Sequence, residues 1–106
     1  MKPFGLTNFR KAVAEGRIEW RKHVLQRLAE RAIPQRAAVE VLSSGQRIES
    51  YSGARPFPSA LFLGYSGHKP YHVVAAFDEV RSRVYVITAY EPSLAVFESD
   101  YRTRRK

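Results

Sequence analysis

Residues 34–51 read PQRAAVEVLSSGQRIESY, and a change of period inside this stretch decides the fold. Pro34 suits the first turn of a helix, where its missing N–H has no intrahelical partner to lose. Ala37, Ala38, Val41 and Leu42 then recur at the spacing of one helical face, and Gly45 stops the run. From Arg47 to Tyr51 the pattern has period two, that of a half-buried strand. The stretch therefore predicts a helix over 34–43 followed directly by a strand.

Toward the N-terminus the reading stays helical. Arg21 to Ala32 carries one apolar stripe, Val24, Leu25, Leu28, Ala29 and Ala32, with His23, Arg27 and Glu30 opposite and Arg31 at its edge. Ile33-Pro34 ends it, because the residue before proline disfavours the helical region. A first helix is expected over Thr7–Glu15, with Thr7 as N-cap, Leu6, Phe9 and Val13 as apolar positions and Gly16 as stop. Ile18-Glu19-Trp20 reads as a brief extended link, and Trp20 as a core anchor.

Toward the C-terminus period two persists. Strands are predicted over Ala60–Tyr65, Tyr71–Phe77 and Val84–Tyr90, after a Pro/Gly loop over Ser52–Pro58. The connections Ser66–Pro70 and Asp78–Arg83 are short, so neighbouring strands are expected to be antiparallel. On the third strand the more apolar set, Tyr71, Val73, Ala75 and Phe77, is expected to face the helices and leave His72 on the outer face. Pro92 breaks the last strand, Ser93 caps an expected final helix over Leu94–Asp100, and residues 101–106 form a basic tail. The sum is an α+β fold, with N-terminal helices packed on one face of a four-stranded antiparallel sheet in a single domain over 1–106.

Composition narrows the function classes. The chain has 106 residues and no Cys, which removes disulfides, thiolate metal sites and Cys nucleophiles together. At 12.1 kDa it is expected to bury about 65% of its unfolded surface, enough for one modest core. No apolar run approaches the ~20 residues of a membrane span, and the first residues lack the long apolar region of a signal peptide. A cytoplasmic location and no membrane partner are therefore expected. The formal charge is +8, most of it from Arg, which favours bidentate contact with phosphate or carboxylate. Nucleic acid, an acidic protein and an anionic surface all fit this balance.

The familiar phosphate-loop, dinucleotide, zinc-protease and hydrolase motifs are absent. What remains is a set of His, Arg, Tyr and Glu. Such a set suits RNA cleavage by the 2′-hydroxyl, which needs a proton acceptor, a proton donor and cations on the developing charge. His23 and Arg27, four apart on a helix, are neighbours. They read as an acid/base beside a phosphate clamp, or as a solvated face on which Glu30 pairs with Arg27. His72 reads as a second acid/base, or as a sheet histidine bonded to a neighbouring strand. Tyr51 and Tyr90 end strands and suit stacking, hydroxyl donation or plain packing. Glu49 is a candidate base on the face of Tyr51. Arg55, and Arg102, Arg104 and Arg105 in the tail, are candidate phosphate contacts, while His68 in its turn reads as an exposed loop residue.

Five pieces in order carry a resemblance: His23-x-x-x-Arg27-x-x-x-Arg31-x-Ile33, Gly45-x-x-Ile48-Glu49-x-Tyr51, Arg55-Pro56-x-Pro58-Ser59-x-Leu61-x-Leu63-Gly64, His72-Val73-Val74 and Ile87-Thr88-x-Tyr90-Glu91-Pro92. Over about Trp20 to Arg105 the chain resembles the domain-of-unknown-function 4258 family, in the wider RelE/ParE-like group of small bacterial ribonuclease toxins. The resemblance implies a RelE-like fold and a metal-independent endoribonuclease toxin with no cofactor. Its implied partners are RNA, a cognate antitoxin, often a zinc-ribbon protein of the MqsA/YgiT type, and the ribosome. The implied catalytic positions are His23, Arg27, His72 and Tyr90. Beside them, the residue types themselves offer Arg31, Arg55, Tyr51, Arg102, Arg104 and Arg105 as candidate nucleic-acid contacts. Three departures stand out. Ala32 replaces a common Gly, Phe97 replaces a frequent Trp, and the Thr7–Glu15 helix lies outside the resemblance. The rival expectation is a non-catalytic basic module that binds RNA, the ribosome or an acidic partner. A third is a metal site from His23, His72 and Glu49.

Overall fold

The computed structural model describes residues 2–106. Its elements are α1 (Leu6–Ala14), β1 (Ile18–Glu19), α2 (Lys22–Glu30), α3 (Gln35–Ser44), β2 (Gln46–Tyr51), β3 (Ser59–Ser66), β4 (Lys69–Asp78) and β5 (Arg83–Tyr90). The sheet runs β1-β5-β4-β3-β2, and no helix among the described residues is long and apolar enough to cross a membrane.

The α+β architecture is as expected, but the sheet has five strands and is mixed, not four-stranded and antiparallel. The expected link at Ile18–Glu19 is an edge strand parallel to β5, with Ile18 opposite Val84. Two residues hold no readable period, so only the pairing reveals it. The other pairs are antiparallel.

All three helices cover one face. Val24 and Leu28 of α2, and Ala37, Ala38, Val41 and Leu42 of α3, are buried in one core with Tyr71, Val73, Ala75 and Phe77 of β4 and Val84 and Val86 of β5. Each fully buried Val or Leu contributes about 1.5–3 kcal/mol relative to exposure. α1 adds Phe9, which stacks on Phe62 at 5.0 Å and meets Phe77 edge-on at 5.5 Å. Arg10 bonds the carbonyls of Leu42 and Gly45, satisfying groups that the end of α3 leaves free.

Turn chemistry differs from expectation in its details. α1 begins after Gly5 rather than Thr7, and Pro34 is the N-cap of α3 rather than its first helical residue. Gly45 has φ −73°, so space and not a left-handed backbone demands glycine. A Cβ there would lie 2.4 Å from the Val41 carbonyl oxygen and 2.6 Å from that of Leu63. Ala32 takes a left-handed conformation that favours glycine, φ +54°, and Ile33 N–H donates to the Leu28 carbonyl at 2.9 Å to close the end of α2.

The C-terminal segment departs most. No helix forms over 94–100. Ser93 accepts a bond from Ala95 N–H, but only one turn follows. The chain then doubles back: Glu98 N–H donates to the Thr103 carbonyl and Arg105 N–H to the Val96 carbonyl. Phe97 bridges to Arg104. This strap, residues 93–105, covers one end of the sheet's outer face.

Candidate functional site

Two β-bulges decide which side chains reach the outer face. Strict alternation would put Tyr85 and Tyr90, five residues apart, on opposite faces. A bulge between the Val74 and Ala75 registers inserts Ile87 into β5, so Tyr85 stands beside Ala76 and Tyr90 beside His72 on one face. A second bulge between Arg47 and Glu49 turns Glu49 and Tyr51 outward, while Arg47 bonds the Phe4 carbonyl on the helix side. Bulges re-aim side chains in this way.

The strap end holds a closed polar network. His72 lies on the outer face as expected, yet its exposure is 0%. Its Nε2 is 2.7 Å from the Tyr101 carbonyl oxygen, and its Nδ1 is 3.3 Å from the Tyr90 hydroxyl. A carbonyl only accepts, so Nε2 carries the proton and Nδ1 accepts from Tyr90. Phe97 packs edge-on at 4.6 Å. Burial holds His72 below its ordinary value and raises Tyr90. Arg104 bonds both oxygens of Glu49, at 2.7 and 3.1 Å, and lies over the Phe97 ring at 4.9 Å. That bond holds the Glu49 carboxyl below its ordinary range and raises Arg104. Burial, and then the hydrogen bond to Glu49, push the Tyr51 phenol up to about 12.

The other end is open. Loop 52–58 and the start of α2 frame a cleft of about 350 Å³, lined by Arg21, His23, Arg55, Phe57, Tyr85 and Ile87 among others. Phe57 and Tyr85 stack at 5.4 Å with 7° between planes. The Arg21 guanidinium lies 5.9 Å from the Tyr85 ring centre. Neither Arg21 nor Arg55 has a carboxylate partner among the described residues.

The expected site residues therefore divide. His23 and Arg55 meet in the open cleft. His72 and Tyr90 meet under the strap, while the strap's Arg104 and the exposed Tyr51 both bond Glu49 beside it. The two histidines do not share a cleft: Ala76, which lines the cleft, is four residues from His72, about 13 Å along β4. The arrangement in which His23 and His72 exchange protons across one site is not assembled. Nor is a metal set of His23, His72 and Glu49, and no group of three His, Asp or Glu among the described residues is placed to hold a metal ion.

Other residues are spent elsewhere. Arg27 pairs with Glu30 at 3.7 Å on the exposed face, and such a pair is worth little. Arg31 bonds the Ala89 carbonyl at 2.8 Å and Thr88 Oγ1 at 3.3 Å, so it fastens α2 to β5. Arg105 is held by Glu98 and the Leu94 carbonyl. Arg102 is exposed, and its backbone N–H is taken by Asp100, whose carboxyl the N–H groups of Thr103 and Arg102 hold down at about 2. His68 is an exposed turn residue. Arg21, Phe57 and Tyr85 were not expected in a site. A loop aromatic in Arg55-Pro56-Phe57 was the available signal for Phe57, whereas the bulge hid Tyr85.

No curated protein and no solved structure matches the chain at a significant level. The family model described as "Domain of unknown function (DUF4258)" matches residues 20–91, from Trp20 before α2 to Glu91 after β5. That span leaves α1 and the strap outside and covers more than half of the 106 residues, so the chain belongs to the DUF4258 family.

Proposed function

We propose that this protein is a metal-independent endoribonuclease of the RelE/ParE-like toxin type, acting on RNA at the open end of the sheet's outer face. One observation carries the reading. Among the described residues, one histidine faces the cleft, and it stands with two arginines that no carboxylate neutralises. Arg21 and Arg55 suit the non-bridging phosphate oxygens. His23 takes the proton of the 2′-hydroxyl, whose oxygen attacks the adjacent phosphorus. The P–O5′ bond breaks, the 5′-oxygen takes a proton from water at the cleft mouth, and a 2′,3′-cyclic phosphate remains. His72 and Tyr90 act indirectly, by fastening the strap. A cytoplasmic location, a cognate antitoxin, often of the zinc-ribbon type in this family, and action on the ribosome belong to the same proposal and rest on the family resemblance.

The test is RNA cleavage by the purified protein in EDTA, first on free RNA and then with ribosomes. A 2′-deoxy substitution at the cleaved position should abolish cleavage. His23→Ala should lower the rate by about 10²–10⁴-fold, the usual share of a general acid or base. Full activity in His23→Ala would end the reading.

The second reading is a non-catalytic basic module that binds RNA. It is favoured by the presence of one histidine in the cleft for a reaction that moves two protons. Salt-sensitive RNA binding without cleavage, with or without ribosomes, would select it.

A further inference from the structure

We propose that the open cleft is a nucleotide-unit site that receives one unstacked base on the Phe57–Tyr85–Arg21 platform and its phosphate on Arg55 and Arg21. The proposal deepens the preceding reading by naming what the cleft holds. It shares with that reading only the meeting of cleft and nucleotide, because binding needs no proton transfer.

Three independent features converge. The first is size. About 350 Å³ lies at the low end of ligand pockets, so the cleft admits one planar group and not a duplex. The second is the platform. Phe57 and Tyr85 lie nearly parallel at 5.4 Å, both rings line the cleft, and a guanidinium stands 5.9 Å from the Tyr85 centre. Unpaired bases stack on aromatic rings and on Arg planes alike. The third is charge. Arg21 and Arg55 have no carboxylate among the described residues, whereas the neighbouring Arg83 is taken by Glu19 at 3.2 Å. A base with its phosphate matches both halves of such a site; an acidic peptide leaves the aromatic half unused.

The bulge in β5 places Ile87 in the cleft lining. Without Ile87 as the extra residue, Tyr85 and Tyr90 would face opposite sides. Ala76 in the cleft and His72 under the strap stand about 13 Å apart along β4.

The probe is a fluorescent single-stranded hexamer with 2′-O-methyl riboses, which cannot be cleaved. Its binding is measured in EDTA at several salt concentrations, beside adenosine and uridine monophosphates. Tyr85→Ala should weaken hexamer binding by about 5- to 150-fold, the range for loss of one stacked base. Tyr85→Phe should bind as the wild type. Arg55→Ala should weaken binding and reduce the salt slope by about one. Phe57→Leu, in the loop, keeps the test valid if Tyr85→Ala fails to fold, and should also weaken binding. Saturation by the monophosphates, lost in the same variants, would support the site with a free nucleotide as its source; hexamer binding without it would support an RNA strand. Hexamer and monophosphates both failing to bind would overturn the proposal. So would hexamer binding unchanged in Phe57→Leu and Arg55→Ala, or an acidic peptide binding where no nucleotide does. Cleavage is scored separately, so intact hexamer binding with no activity toward RNA would defeat the ribonuclease reading and leave this one standing.

Discussion

The two ends of the sheet's outer face hold similar residue types and use them in opposite ways. At the strap end, His72 is answered by Tyr101 and Tyr90, and Glu49 by Arg104 and Tyr51. At the cleft end, Arg21, His23 and Arg55 surround an aromatic stack, and among the described residues no carboxylate answers them. Shifted ionisation often marks a functional site, but here His72, Tyr90, Glu49, Tyr51 and Arg104 are shifted at the strap end, where mutual bonding and burial explain them. The lesson is that satisfaction, and not residue type, separates a fastening from a binding site.

The largest expected effect falls at the sealed end. Phe97 is 2% exposed, so Phe97→Ala should cost about 3–5 kcal/mol, read by urea unfolding. RNA affinity of the folded fraction should stay at the wild-type value; a parallel loss of affinity would erase the division between the ends.

His72→Gln should cost about 1–3 kcal/mol through the bonds that it misplaces. It also carries a pH signature. Burial lowers His72 in the fold from its ordinary 6.5, so below that value the unfolded chain binds the proton more readily. Wild-type stability should therefore fall as pH drops below about 6.5, and the Tm of His72→Gln should lose that slope. An unchanged slope would remove His72 as its source.

Glu49→Gln tests the clasp. Its side chain is 23% exposed and that of Arg104 is 53% exposed, so solvent screening limits the cost to about 1 kcal/mol. Glu49 is held below its ordinary 4.5, so its contribution is present above that pH and fades as pH falls through the lowered value. Thermal scans across pH 3–6 should show this in the wild type and not in the variant.

Ala32→Gly, at neither end, calibrates the scale. Removing the Cβ at φ +54° should raise stability by about 1 kcal/mol, or several degrees in Tm. The smallest effects on stability belong to the open end. Arg21→Ala and Arg55→Ala should each stay within about 0.5 kcal/mol while weakening RNA binding. A large loss of stability in both would make the arginines fastenings too.

Much of the frame was legible. The period of Val24–Leu28 and Ala37–Leu42, and then of Ala60–Phe77, identified two helices and the central strands, because long apolar stripes announce which face they bury. The parallel edge Ile18–Glu19 was not legible, since its existence depends on β5 as a partner. The site was legible in its residue types and not in its grouping. His72 was correctly turned outward, but its burial comes from Phe97 and Tyr101 in a segment with no period. Ser93 signalled a helix that stops after one turn. Tyr85 was hidden because one inserted residue in β5 shifts the alternation between it and Tyr90.

The most direct measurement of the central claim is histidine side-chain NMR during titration with the uncleavable RNA hexamer. The account predicts that the His23 ring resonances move and saturate with the RNA. The His72 Nε2–H signal should persist, protected from exchange and unmoved. RNA that shifts His72 and leaves His23 unchanged would contradict the account, placing the ligand under the strap and making the open cleft the bystander.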